Sequence, residues 1–183
     1  MTNFREIKLN EPVDKNMTPL SESAPKIEFA GIIRTSCDDG PGIRSVLFLQ
    51  GCSKGCPDCH NAAIGRKGEG TLISVEDLTE MITDQCKNHK LTISGGEPLE
   101  QFPALLLLLT ELKKRRFDLC LYTGCDLEQV PHEILSLLNY IKVGNFRKEL
   151  SHTPLRYVGS SNQQLYQLKD GKIVKNYQLK EDI

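Results

Sequence analysis

Between Ser74 and Val143 the chain alternates helical periodicity with short apolar runs of strand length, and this alternation limits the fold more than any other feature. Ser74 can cap a helix whose Val75, Leu78, Met81 and Ile82 recur at helical spacing, with Glu76 and Asp77 in the first turn to favour the dipole. A second helix fits Phe102 to Arg116, where Phe102, Leu105, Leu106, Leu109 and Leu112 share a face and basic residues crowd the C-terminal end. Pro131 suits the first turn of a third, with Ile134, Leu137 and Leu138 as its stripe. Leu91–Ser94, Leu119–Thr123 and Tyr140–Val143 fall between or after these helices as strands, and Ile27–Arg34 and Ser45–Gln50 precede them with the same signature. Helices between consecutive strands imply right-handed βαβ crossovers. The expected fold is therefore α/β, a mainly parallel sheet with flanking helices and with ligands at the loops after the strand C-termini. Beyond Gly144 the pattern weakens, until Gln163–Leu168 and Lys172–Leu179 flank Asp170-Gly171 and read as a C-terminal β-hairpin.

Residues 1–25 are polar, carry Pro12, Pro19 and Pro25 and show no period, so they read as a flexible N-terminal extension; residues 26–183 form one domain. The 39% hydrophobic content is enough for that domain's core. Lys plus Arg (23) nearly cancels Asp plus Glu (24), leaving no broad field to attract nucleic acid. The longest apolar run, Ala104–Leu109, is far short of the roughly 20 residues of a spanning helix, and the N-terminus lacks a signal-peptide core. No membrane partner is expected, and a cytoplasmic location is.

Seven cysteines are an odd number, and three of them fall within eight residues. This suits thiolate ligands in a reducing compartment better than a disulfide framework. Gly51-Cys52-Ser53-Lys54-Gly55-Cys56-Pro57-Asp58-Cys59-His60-Asn61 presents them at C-x3-C-x2-C spacing after a buried strand. Structural zinc takes four tetrahedral ligands. A cubane cluster has four irons, so three cysteines leave one iron free to bind a second molecule. His60 as a fourth ligand would make a Cys3His zinc knot, although its adjacency to Cys59 makes a shared metal awkward.

The strand Leu91–Ser94 ends in Gly95-Gly96-Glu97-Pro98. Two glycines there let a ligand approach the backbone, and Glu97 offers a carboxylate to an ammonium group. A three-cysteine loop after one strand and Gly-Gly-Glu-Pro after a later one together resemble the radical S-adenosylmethionine (SAM) superfamily. The resemblance implies a partial (β/α) barrel. It also implies a [4Fe–4S] cluster on Cys52, Cys56 and Cys59, whose free iron chelates the amino and carboxylate groups of SAM. Gly95, Gly96 and Glu97 then receive the methionine amine, Asp58 and His60 flank the adenosine beside Cys59, and Thr123 and Lys142 at strand ends are further candidates to touch SAM.

Asp38-Asp39-Gly40-Pro41-Gly42-Ile43-Arg44, directly ahead of the cluster strand, resembles the lead of glycyl-radical-enzyme activases. Leu121-Tyr122-Thr123-Gly124, Lys142-Val143-Gly144-Asn145-Phe146 and Tyr157-Val158-Gly159-Ser160-Ser161-Asn162-Gln163-Gln164 narrow the likeness to the anaerobic ribonucleotide reductase activases. The chain departs from that family at His60, where Tyr or Phe is common, at Val143, where an acidic residue is usual, and in lacking a downstream Trp. The resemblance implies a glycyl-radical protein as substrate, probed through the open side of the partial barrel, and a flavodoxin or ferredoxin-type electron donor. Asp39 and Arg44 are candidates for holding the partner backbone or orienting the cluster loop. Another glycyl-radical enzyme of the pyruvate formate-lyase type, or a small-molecule radical SAM reaction, remains as an alternative. Cys37, Cys86, Cys120 and Cys125 read as core or incidental thiols, with a second metal at Cys120 and Cys125 left open, and His89, His132 and His152 as surface residues.

Overall fold

The computed structural model describes residues 24–178, so nearly all of the expected N-terminal extension, residues 1–23, lies outside the described residues. Eleven regular elements follow one another: β1 (Lys26–Ser36), β2 (Arg44–Leu49), β3 (Thr71–Ser74), α1 (Val75–Gln85), β4 (Lys90–Gly95), α2 (Phe102–Lys114), β5 (Asp118–Tyr122), α3 (His132–Leu137), β6 (Tyr140–Val143), β7 (Gln164–Lys169) and β8 (Lys172–Asn176). The strands form one sheet in the order β3-β1-β2-β4-β5-β6-β7-β8.

The mainly parallel sheet expected from the alternation is corrected here. Only β2-β4, β4-β5 and β5-β6 pair in parallel. β1 pairs antiparallel with both β2 and β3, and β7 with both β6 and β8, so antiparallel pairings are in the majority. The physical reason lies in the connections. Parallel neighbours need a crossover of about a dozen residues or more, usually a helix, whereas residues 37–43 between β1 and β2 are too few. Residues 144–163 between β6 and β7 contain only a 3-10 turn, Lys148–Leu150, and no α-helix. The result is a mixed sheet, four parallel strands at its centre with an antiparallel margin on each side.

Strand periodicity sorts residues cleanly between the two faces. Leu47, Ile93, Leu121 and Ile141 stand in register across the four central strands and are fully buried. They pack, with Leu49, Leu91, Leu119 and Val143, against Leu78 and Ile82 of α1, Leu105, Leu108, Leu109 and Leu112 of α2, and Ile134 of α3. All three helices therefore cover one face. The stripe on α2 is rotated from the expected one, with Ala104 and Leu108 buried and Phe102 and Leu106 at its margin. Ser74 caps α1 as expected, its hydroxyl oxygen accepting from the Asp77 N–H at 3.0 Å. In the C-terminal hairpin Asp170 and Gly171 both take positive φ, 50° and 75°, as a two-residue type I′ turn requires; β8 ends at Asn176, and the expected end at Leu179 lies outside the described residues.

The helix-free face is different in chemistry. Val46 and Phe48 meet Ile64 there, and Cys120 and Tyr122 meet Leu165, but Thr92, Ser94 and Lys142 are also buried on it. Arg44, 0% exposed, closes the N-terminal end of the parallel strands: its guanidinium donates to Pro41 O (2.9 Å), Leu91 O (3.0 Å), Asp118 O (3.1 Å) and Asp118 Oδ1 (2.9 Å). It thus ties β2 to β4 and β5 at the end opposite the cysteine loop, and does not touch that loop.

Arg44→Ala is expected to destabilise the fold by about 3–5 kcal/mol, because acceptors on β4, on β5 and in the loop before β2 lose their donor together. Arg44→Lys should recover little of it, since an ammonium cannot reproduce the planar fork; urea unfolding of both variants measures the loss.

Candidate functional site

The site begins where β2 ends. Gly51, at φ +90°, turns the chain out of the sheet, and the loop it opens is closed at its base. The Gly51 N–H donates to Ile64 O (2.9 Å) and the Cys52 N–H to Gly65 O (2.8 Å). Ile64, buried against Val46 and Phe48, anchors this base to the helix-free face. Residues 51–65 are thus a compact Ω-type loop of the kind that holds functional groups on a rigid scaffold. Within it the Cys59 N–H donates to Cys56 O (3.3 Å) and the Ala62 N–H to Cys59 O (3.1 Å), and Gly55 and Asp58 adopt positive φ. These tight turns bring the three cysteines to one loop, all half-buried and all free of disulfides.

The Gly-Gly-Glu-Pro turn after β4 lies flush against that base. The Gly96 N–H donates to Leu49 O (2.9 Å) and the Glu97 N–H to Gly51 O (2.8 Å), which extends the β2-β4 pairing past the strand ends. A Cβ on Gly95 would stand 2.2 Å from Leu49 O, and one on Gly96 2.0 Å from Gly51 O. The two glycines are therefore required by the approach of backbone to backbone. Their expected use, room for a ligand, is not what these contacts demand. Asn61 joins the same turn by donating from Nδ2 to Gly95 O (2.9 Å), while its Oδ1 is buried with no partner.

Glu97 was expected to face an ammonium group, yet it is only 2% exposed and its carboxylate is engaged. Oε1 accepts from the Thr123 hydroxyl (2.7 Å) and the Leu99 N–H (3.2 Å); Oε2 accepts from the Gly124 N–H (2.9 Å) and stands 4.0 Å from Lys54 Nζ. One carboxylate thereby fastens the loops after β2, β4 and β5. Thr123 is likewise spent on Glu97 and on the Cys125 N–H (3.0 Å). Lys54 packs over Gly124 close to Asn145, so the loop after β6 arrives at the same point. Burial opposes the Lys54 ammonium, but the Cys125 thiol and Glu97 beside it outweigh that and hold its pKa up.

The connection 144–163 is folded back on itself by the segment that sequence reading singled out without a structural role. Gln163 accepts from the Gly159 and Ser160 N–H groups (2.8 and 3.2 Å) and donates to Gly144 O (2.8 Å). Asn162 donates to Asn145 O (2.8 Å), and Ser160 Oγ accepts from the Arg147 N–H (3.1 Å). This clasp sets Phe146 against the exposed ring of His60, centroids 5.2 Å apart, and Lys148 against Asp58 in an ion pair. Of Asp58, Cys59 and His60, grouped by sequence, Asp58 and His60 are thus met by the β6-β7 connection. Sequence reading also missed Glu100. It accepts from the Ser53 N–H (2.8 Å) and hydroxyl (2.6 Å) and pairs with Lys67 (2.8 Å). Partial burial pushes this carboxyl up, but the bonds from Lys67 and Ser53 together hold it down at about 2. An acidic residue two places beyond a Gly-Gly-Glu-Pro turn carries no periodic signal, so only the folded contact reveals it.

Cys86 is buried at the C-terminal cap of α1, and its thiol donates to Lys90 O (3.2 Å). Burial pushes the Cys120 thiol up to about 11, which leaves it protonated and inert. Among the described residues no three His, Cys, Asp or Glu side chains are grouped as ligands for a single metal ion. Three thiols on one closed loop nevertheless fit the donor chemistry of an iron–sulfur cube, which takes each thiolate at a separate corner. Burial, with Glu100, Glu97 and Cys59 nearby, pushes the Cys52 thiol up against a backbone hydrogen bond from Lys54, so a bound cation is what would favour its thiolate. Among the described residues no helix is long and apolar enough to cross a membrane.

Loop chemistry of this kind defines an iron–sulfur protein class, and the family model described as "4Fe-4S single cluster domain" matches residues 38–166. The anaerobic ribonucleoside-triphosphate reductase-activating protein of Escherichia coli is 29% identical over 142 residues, covering 72% of this chain and 92% of the relative. That of Enterobacteria phage T4 is 34% identical over 146 residues, covering 74% and 92%. The pyruvate formate-lyase-activating enzyme of Staphylococcus aureus is 38% identical over 95 residues, 48% of this chain and 38% of that protein. The chain belongs to the family of anaerobic ribonucleoside-triphosphate reductase-activating proteins, with the single-cluster domain that the family model describes.

Two outcomes follow from this geometry. Gly96→Ala should part the cysteine loop from the β4 turn, lowering the unfolding midpoint and the iron retained after anaerobic reconstitution, because the Gly51 backbone leaves the methyl group no room. Glu100→Ala should speed hydrogen exchange at the Ser53 amide roughly tenfold, the equivalent of about 1.4 kcal/mol. The sign of the pH effect is set by a carboxyl that sits near 4.3 when unfolded, about, and is held at about 2 in the fold. The latch is therefore at full strength from pH 5 to 8, roughly, and is lost as pH falls toward and through the folded value.

Proposed function

We propose that this protein is a radical SAM activase that generates a glycyl radical on anaerobic ribonucleotide reductase, with Cys52, Cys56 and Cys59 holding one [4Fe–4S] cluster. The observation that carries the reading is the closed loop of three half-buried thiols, bonded at its base to a Gly-Gly-Glu-Pro turn. Three cysteine ligands leave one iron open, and that position suits the amino and carboxylate groups of SAM. Bound together, the reduced cluster and SAM supply one-electron cleavage of a sulfonium and a radical able to take hydrogen from a glycine Cα.

The chain's own residues supply position and shelter. Gly95 and Gly96 present backbone beside the cysteine loop, and the methionine end of SAM is assigned to that edge. Glu97, already bound to Thr123 and Gly124, serves first by fixing the loops in place and meets an ammonium only from the rim of its carboxylate. Asp58 and His60, capped by Lys148 and Phe146, are assigned to the adenosine side. The four parallel strands and their polar, helix-free face are read as the inside of a partial (β/α) barrel, whose unclosed side admits a glycine-bearing loop of the partner. Residues 26–183 are taken as one domain, working in the cytoplasm with a flavodoxin or ferredoxin-type donor and with neither nucleic acid nor membrane as partner.

A partner of the pyruvate formate-lyase type is the second reading, favoured by the Staphylococcus aureus relative, over a shorter stretch. Anaerobic incubation with SAM, a reductant and each candidate partner decides between them, a glycyl doublet in the electron paramagnetic resonance spectrum appearing only with the true substrate. Cys56→Ala should abolish cluster retention and release of 5′-deoxyadenosine, whereas Cys86→Ala should leave both nearly intact. Equal losses in the two variants would refute the ligand assignment.

A further inference from the structure

Lys142 stands apart among the buried groups of the helix-free face. It lies on β6, in register with Tyr122 on one side and Leu165 on the other, one residue short of the strand end. Its side chain is 7% exposed, and its Nζ sits 4.2 Å from the centroid of the Tyr122 ring. The other cations near the site have carboxylates: Lys54 has Glu97, Lys67 has Glu100, and Lys148 has Asp58. Among the described residues Lys142 makes no ion pair, so a ring face is its nearest compensation. The Tyr122 hydroxyl on the same face is buried and lacks a partner.

A buried ammonium without a direct ion pair is costly, and a ring face offsets only part of that cost. The surroundings of the strand end are fixed by the loops beyond it. The Thr123 N–H donates to Lys142 O (2.9 Å), and Gly144, two residues on, donates its N–H to Cys125 O (2.8 Å). Phe146 then meets His60 of the cysteine loop. The end of β6 is therefore tied to the loop after β5, and the connection beyond it reaches the cysteine loop at His60. The groups whose charge reaches the ammonium are Cys120, Asp39, Cys59 and Glu97; burial pushes its pKa down to about 8, which still leaves it protonated at neutral pH.

Resting on the cofactor reading above, we infer that Lys142 is a buried counter-charge to the iron–sulfur site, a positioning residue that sets how readily the cluster accepts an electron. A cluster on three thiolates gains negative charge on reduction, and a fixed cation whose field reaches it favours the reduced form; net charge and local dielectric are the protein's levers on such potentials. Lys142 thus makes the cluster easier to reduce than the apolar strand ends alone would allow. It acts through the field and is neither a ligand nor a proton donor.

The test is a redox titration of the reconstituted full chain without SAM, followed by the electron paramagnetic resonance signal of the reduced cluster. Lys142→Met keeps the length and loses the charge, and its cluster should titrate at a more negative potential. Lys142→Arg should stay near the wild type. An unchanged potential in Lys142→Met, or equal shifts in Met and Arg variants, overturns the inference. If Lys142→Met retains no cluster, Asp39→Asn carries the test with the opposite sign: removing an anion that offsets the ammonium should move the potential upward, and no movement overturns the inference. A wild-type protein that shows no four-iron signal at all would instead sink the cofactor reading itself.

Discussion

Everything at the site depends on the contact of two backbones at the ends of β2 and β4. Gly96 and Glu97 donate to Leu49 and Gly51, and neither Gly95 nor Gly96 has room for a side chain at that contact. Parallel pairing that runs past the strand ends makes the cysteine loop and the Gly-Gly-Glu-Pro turn one rigid piece. A cluster ligated on the first is then necessarily beside the second.

Glu97 converts that pair of loops into a set. Buried carboxylates are tolerated where their lone pairs are met, and this one is met by Thr123, Gly124 and Leu99, with Lys54 at ion-pair range. The β6-β7 connection closes the remaining side through Gln163 and Asn162, whose bonds are spent within the connection and on the end of β6. Preorganisation of this kind holds a reactive site by groups that do no chemistry themselves.

Helices α1, α2 and the hairpin were legible because they are local. A Ser cap, a 3.6-residue stripe and an Asp-Gly turn act over a few residues, and each appears where periodicity placed it. The sheet's direction was not equally plain. Strand β3 has four residues, too few to show a period, and the short link from β1 to β2 was outweighed by the βαβ rhythm that follows. Glu100 escaped for a different reason, and so did the contacts of Gln163 and Lys142, residues that the motifs had named: the partners lie on distant segments, and no spacing within the chain announces them.

The amino-acid sequence by itself determined the α/β character, the three-thiol loop after a buried strand, the paired glycines after another, and the family likeness those motifs carry. Tertiary structure alone decided that the sheet is mixed, that the glycines serve backbone contact, that Glu97 is turned inward, and that the Lys142 ammonium is buried over the Tyr122 ring. The division is physical. Local pattern encodes which way a residue faces along its own helix or strand, but the identity of what it faces is settled only when segments far apart in the chain are brought into register.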